Sequence, residues 1–199
     1  MNYIKFDTIN STNDFLKSYS KTTDLPDFFY VYTDFQESGR GQGSNVWQSV
    51  CCKNVLMSVF LRPGFELKEQ AILSRIIALS IIKVLQKFNI HGLQIKLPND
   101  IMADRKKIAG ILIENQIAQN RWKSSIIGIG LNVNQTDFVN LPEATSVKKI
   151  TGVEFEPEMI VHQLVEEIKK QYVRDADELK QEFEKLIISM PKQSSSSSS

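Results

Sequence analysis

Between Leu93 and Glu114 the residues read strand, polar corner, tight turn, strand, and no other stretch leaves the chain so few ways to fold. Leu93, Ile95 and Leu97 alternate up to Pro98, which cannot donate to a sheet ladder and so marks a strand end. Ala103–Lys106 is a polar connection of hairpin length. Ile108, Ile111, Leu112 and Ile113 then resume an apolar, β-branched-rich run that should return beside the first strand. Folding back in this way draws Lys96, Asn99, Asp100 and Lys107 into one neighbourhood. Two cations with a carboxylate and an amide suit an anionic, metal-associated group such as a nucleotide phosphate.

The remaining segments sort into alternating and helical patterns. Residues 3–9 read as a strand closed by Asn10-Ser11, with Ser11 as N-cap of a short helix from Thr12 to about Tyr19. Phe28–Tyr32 is an aromatic strand, and Asn54–Leu61 another, stopped by Pro63-Gly64. From Glu66 to Phe88 the apolar residues Ile72, Ile76, Leu79, Ile82, Val84, Leu85 and Phe88 keep helical spacing. Trp122–Val133 reads as a strand, 135–156 as loop, Pro157 to about Tyr172 and Asp175–Ile188 as helices. Strands joined through hairpins and helices in separate blocks predict an α+β fold, a mixed sheet with helices packed on one face.

Bulk properties exclude several functions. A net charge of +1 offers no electrostatic footprint for nucleic acid or a polybasic membrane contact. No apolar run approaches the roughly 18 residues of a spanning helix, and Met1 leads straight into Tyr3–Phe6 without a secretory core. Adjacent Cys51 and Cys52 make no structural staple, so a cytoplasmic location is expected. His91 and His162 lack the partners of a zinc site. Ser194–Ser199 is low in complexity, and residues 191–199 are expected to be disordered after a domain spanning 1–190.

Candidate ligand-contacting residues each have a plainer alternative. Gly39-Arg40-Gly41-Gln42-Gly43 lets backbone amides approach a ligand, or is a flexible turn; it carries neither a Walker Gly-Lys-Ser/Thr nor a dinucleotide fingerprint. Arg40 and Trp47 beside those amides suit an anionic or planar ligand. Lys107 is either a solvated turn lysine or inward-facing. Asp100 after Asn99 is also turn chemistry, Asn132 and Asn134 also suit a strand end, and Ser11-Thr12-Asn13 also makes a helix cap.

Taken in order, Ser11-Thr12-Asn13, Gly39-Arg40-Gly41 with Trp47, Lys96-x-Pro98-Asn99-Asp100, Lys107–Glu114 and Gly128–Asn134 resemble the catalytic domain of biotin protein ligases. Leu141–Ser146 resembles the stretch that follows in that family. The resemblance implies a sheet like that of class II aminoacyl-tRNA synthetases and lipoate ligases. It also implies an ATP-dependent ligase that makes biotinyl-5′-AMP, with Mg²⁺ accompanying ATP, and passes biotin to a lysine of a biotin carboxyl carrier protein. By position, Ser11, Thr12, Asn13, Gln36, Gly39, Arg40, Gly41, Trp47, Lys107 and Gly110 would hold biotin. Gln42, Asn45, Trp47, Lys96, Asn99 and Asn132 would serve the nucleotide. Lys107, Arg40 and Asp100 would act in catalysis, with Asp100 also the metal contact.

Where the family usually carries arginines the glycine loop has Gln42 and Asn45, Leu97 replaces a tryptophan, and Cys52 stands where glycine is common. Neither a DNA-binding domain nor the family's small C-terminal β-domain is expected, which implies a monofunctional ligase, monomeric or homodimeric. A lipoate-type ligase and a non-catalytic biotin- or adenylate-binding domain are the alternatives. The ligase reading requires the Lys107 ammonium to face a pocket shared with Arg40 and Asn132.

Overall fold

The computed structural model describes residues 2–188; the expectation of a disordered 191–199 tail falls outside them. Its elements in chain order are β1 (Tyr3–Ile9), α1 (Thr12–Thr22), β2 (Phe29–Gln36), β3 (Val55–Leu61), α2 (Ala71–Gln86), β4 (Gln94–Lys96), β5 (Asp100–Ala103), β6 (Lys106–Ala118), β7 (Arg121–Leu131), α3 (Val147–Thr151), α4 (Pro157–Tyr172) and α5 (Ala176–Leu186). The strands form one mixed seven-stranded sheet in the order β1-β2-β3-β7-β6-β5-β4, with β1 and β2 parallel and the other pairs antiparallel.

Alternation along the central strands divides this sheet into two unlike faces. Val55, Met57, Val59 and Leu61 of β3, Ile127, Ile129 and Leu131 of β7, and Ile111 and Ile113 of β6 join the main core under α2, α4 and α5. Helix α2 is buried on nearly all sides because it lies between the sheet and the other two helices, so its apolar residues exceed a single stripe.

On the opposite face Phe29, Val31, Phe60 and Ile126 pack with Leu16 of α1 in a smaller cluster. The one-face expectation therefore holds for α2, α4 and α5, whereas α1 crosses to the other side. The uninterrupted burial of β2 and β3 from Phe29 to Thr33 and Val55 to Leu61 reflects cover on both faces.

Three boundaries differ from the sequence reading. Residues 66–88 split into a 3-10 turn, Leu67–Glu69, and α2, because Glu66 and Glu69 close a capping box. The 135–156 segment contains α3, capped by Ser146, whose hydroxyl accepts from Lys149 N–H. The corner at Asp100–Ala103 is itself a strand: Lys96 pairs with Asp100 across a turn at residues 97–99, so β5 lies between β4 and β6. The returning strand pairs with that corner and with β7, not with the Leu93–Leu97 segment.

Candidate active site

The face that carries α1 also carries a glycine-floored depression. Gly110 of β6 lies opposite Gly130 of β7, and Leu112 opposite Gly128, which in turn lies opposite Ser58 of β3. Trp47 lies against the Gly110–Gly130 pair. A Cβ at Gly110 would come within 2.8 Å of its Cζ3, and one at Gly130 would overlap its Cε2 and Cζ2. A Cβ at Gly128 would meet Asn13 Oδ1 at 2.5 Å. These glycines are needed because an indole and an amide occupy the space a side chain would fill.

Helix α1 sets its first turn on this floor, and Ser11, Thr12 and Asn13 are buried there despite their polarity. Their groups are satisfied by one another and by the sheet, as buried polar groups must be. Gln36 Oε1 accepts from Thr12 N–H at 2.8 Å and from its hydroxyl at 3.0 Å. Ser58 Oγ stands 2.7 Å from Thr12 Oγ1 and 2.5 Å from Asn13 Oδ1. Ser11 Oγ caps the helix by accepting from Asp14 N–H.

A cleft of about 130 Å³ opens above, walled by Ser11, Thr12, Asn13, Gln36, the glycine loop, Asp100 and Lys107. A second, more open and apolar cavity of about 330 Å³ lies next to it, lined by Val46, Phe138, Leu141 and Pro142 with Asn132. Lys107 and Trp47 line both.

Lys107 reaches this position through a register shift. Ile101 of β5 pairs with Ala109, but Met102 pairs with Lys107, leaving Ile108 as the extra residue of a bulge. Ile108 and Ala109 both join the core under the helices, so the bulge reverses the alternation and turns Lys107 to the other face. There its Nζ lies 2.7 Å from Asp100 Oδ1 and 5.4 Å from the Trp47 ring centroid. Its backbone is held by the Leu141–Ser146 stretch, with Lys107 N–H donating to Glu143 O and Thr145 N–H to Lys107 O.

Arg40, expected to contact biotin and act in catalysis, lines the cleft and is ion-paired. Its guanidinium pairs with Asp14 Oδ1 at 2.9 Å and Glu114 Oε2 at 2.6 Å. Glu114 also accepts from Asn13 Nδ2 and Lys17 Nζ. Burial pushes the Glu114 carboxyl up, but hydrogen bonds from Arg40, Asn13 and Lys17 outweigh that and hold it below its ordinary value of 4.5. The Glu114 hydrogen bond raises the guanidinium's pKa.

Other expected residues divide. Gln42, Asn45 and Asn99 line the cleft, and Gly39 and Gly41 form the loop's stem, with Trp47 N–H donating to Gly39 O. Asn99 spends its amide on Ile111 O, and Asn132 donates to Thr145 O, so both also hold the backbone that frames the cavities. Lys96 is exposed and lines neither cavity, although alternation from the core residue Ile95 sets it on the same sheet face as its cross-strand partner Asp100.

No three His, Cys, Asp or Glu side chains converge as a metal site among the described residues, and Asp100 is engaged by Lys107.

Sequence reasoning passed over Ser58, Glu114, Asp14 and the flooring role of Gly128 and Gly130. The cross-strand glycine spacing was the available signal for the floor; the other contacts depend on pairings between distant segments. Cys51 and Cys52 are exposed free thiols outside both cavities. No helix of the described residues is long and apolar enough to cross a membrane.

Comparison with known proteins bears on this arrangement. Residues 5–132 match the profile described as the Biotin/lipoate A/B protein ligase family. The chain is 34% identical over 170 residues to the bifunctional ligase/repressor BirA of Bacillus subtilis, an alignment covering 80% of this chain and 52% of that protein. To BirA of Escherichia coli it is 29% identical over 125 residues, 63% of this chain and 38% of the other. The chain thus spans about half, or less, of the curated relatives it matches.

Its fold is that of a biotin protein ligase from Aquifex aeolicus solved with biotin and ATP, at TM-score 0.79 and 24% identity over 94% of this chain and 78% of that one. The same holds for the Leishmania major biotin protein ligase solved with biotinyl-5-AMP, at TM-score 0.79 and 22% identity, covering 96% and 85%.

Proposed function

Because the chain belongs to the biotin/lipoate A/B protein ligase family, we propose that it activates biotin with ATP and transfers it to a lysine of a carboxyl carrier protein in the cytoplasm. The observation that carries this reading is the place of Lys107, shared by a polar cleft and an apolar cavity. A biotin carboxylate in the first and an adenylate in the second would meet at its ammonium.

Biotin's carboxylate is already ionised at neutral pH, so the first step needs no general base. Its oxygen attacks the α-phosphorus and pyrophosphate leaves as the P–O bond breaks; a magnesium ion brought with ATP would be held beside Asp100 and would supply charge neutralisation on the phosphates. The barrier lies in bringing two anions together, which an ammonium directed at the developing charge lowers. Asp100 holds Lys107 in place, and the cation–π contact with Trp47 adds to this. In the second step the carrier's neutral amine attacks the carbonyl of the mixed anhydride, AMP departs as the C–O bond breaks, and the proton lost from the amine would pass to the nearby carboxylate of Asp100 in the cleft wall.

Ser11, Thr12, Asn13 and Gln36 form a polar end that suits a ureido ring, braced from beneath by Ser58, with Trp47 and Gly110 along the apolar body of the ligand. The Gly39–Gly41 backbone would lie along the carboxylate, Gln42, Asn45 and Asn99 would meet the nucleotide's phosphates from the cleft, and Asn132 would border it in the second cavity. Lys96, the exposed cross-strand partner of Asp100, would meet the nucleotide's phosphates from the rim.

The test is ATP–pyrophosphate exchange with biotin, followed by mass detection of biotin on a carrier domain. Exchange and transfer both dependent on biotin support the ligase. Exchange with lipoate alone would identify a lipoate-type enzyme, and binding without exchange a non-catalytic module.

A further inference from the structure

We propose that Glu114 is a positioning residue that latches the glycine loop over the cleft through Arg40. The part concerning the adenylate rests on the ligase reading; the part concerning the loop does not.

The loop's backbone hydrogen bonds are largely its own. Gly41 N–H donates to Asn45 O at 2.8 Å and Trp47 N–H to Gly39 O at 2.9 Å, making a small hairpin with a bridge between Arg40 and Val46. Such bonds shape the loop without fixing it to the sheet. Attachment falls to side chains: the Trp47 indole on its glycine floor, and Arg40. The Arg40 guanidinium meets Glu114 at 2.6 Å and Asp14 at 2.9 Å.

Glu114 is suited to be the fixed end. It stands on β6, and its carboxylate accepts from Asn13 at 2.9 Å and Lys17 at 3.1 Å, both on α1. One carboxylate thus ties a strand, a helix and a loop. Asp14 and Lys17 of α1 and Arg40 of the loop are the charged groups facing it. Two cations and two carboxylates balance, so Arg40 is spent on holding the loop, and Lys107 is left as the cation directed at the reacting groups. A closed loop over an activated anhydride excludes water and slows its escape.

The experiment uses the full chain with E114Q, R40Q, the double variant and E114D. One readout needs no ligand: the rate of thermolysin cleavage within residues 40–47, located by mass spectrometry. The other is the rate at which biotinyl-adenylate formed in place is released. The latch predicts about tenfold or faster cleavage and release for each single Gln variant, as loss of a charge-assisted hydrogen bond implies. It also predicts no further gain in the double variant, and partial retention by E114D. A merely structural carboxylate would lower the melting temperature without selective cleavage of the loop.

Wild-type rates in E114Q, or effects that add in the double variant, would overturn the proposal. If E114Q does not fold, R40Q and E114D decide it. If the wild-type chain forms no adenylate, the ligase reading fails while the proteolysis arm still judges the latch.

Discussion

Lys107 and Trp47 make opposite demands on the backbone beneath them. The lysine reaches the cleft because an extra residue at Ile108 reverses the strand's alternation, and the indole because Gly110 and Gly130 present no side chain to it. Lys107→Ala should reduce biotin-dependent pyrophosphate exchange by about 100-fold or more, the usual cost of losing one transition-state donor. Its melting temperature should stay close to wild type, since the side chain is 35% exposed and belongs to no apolar cluster. Gly130→Ala should act differently. A methyl group overlapping the indole must displace Trp47, costing about 1–3 kcal/mol as overpacking does. Ligand-induced change in tryptophan fluorescence should be lost even where circular dichroism shows an intact fold.

Among the elements, α2 and β6 carry unequal burdens. Ile76 of α2 is fully buried, and Ile76→Ala should lower unfolding free energy by about 2–5 kcal/mol in a denaturant titration without moving residues of the cleft. β6 carries a core face and a site face at once, and Glu114 gives the second face a pH dependence. Its folded pKa lies below the ordinary 4.5, so the folded state binds this proton less readily than the unfolded chain. The stabilisation is present above the unfolded pKa and is lost as pH falls through the folded one. Comparing wild type with Glu114→Gln, the stability difference should therefore shrink on acidification below about pH 4.5. A difference unchanged from pH 7 to pH 3 would contradict the ionised, hydrogen-bonded carboxylate.

Across the molecule, one sheet face supports and the other works. Helices α2, α4 and α5 cover the first, while α1 and the glycine loop enclose a polar cleft on the second. Much of this division was legible in local pattern. Alternation marked the strands, helical spacing marked α2, and Pro157 marked the α4 start. Ser11 was readable as a cap because capping is a contact between near neighbours. The Asp100–Ala103 strand was hidden, since four residues opening on a carboxylate look like a turn until both neighbours pair with them.

Residue order along the chain determined the strand and helix periods, the glycine-rich loop and the association of Lys107 with Asp100, all of them short-range matters of stereochemistry and spacing. Only the tertiary structure decided which face Lys107 takes, what Gly128 and Gly130 make room for, and that Arg40 is held by Glu114. Those contacts join segments separated by tens of residues, and their geometry depends on sheet register, which a bulge of one residue is enough to reverse.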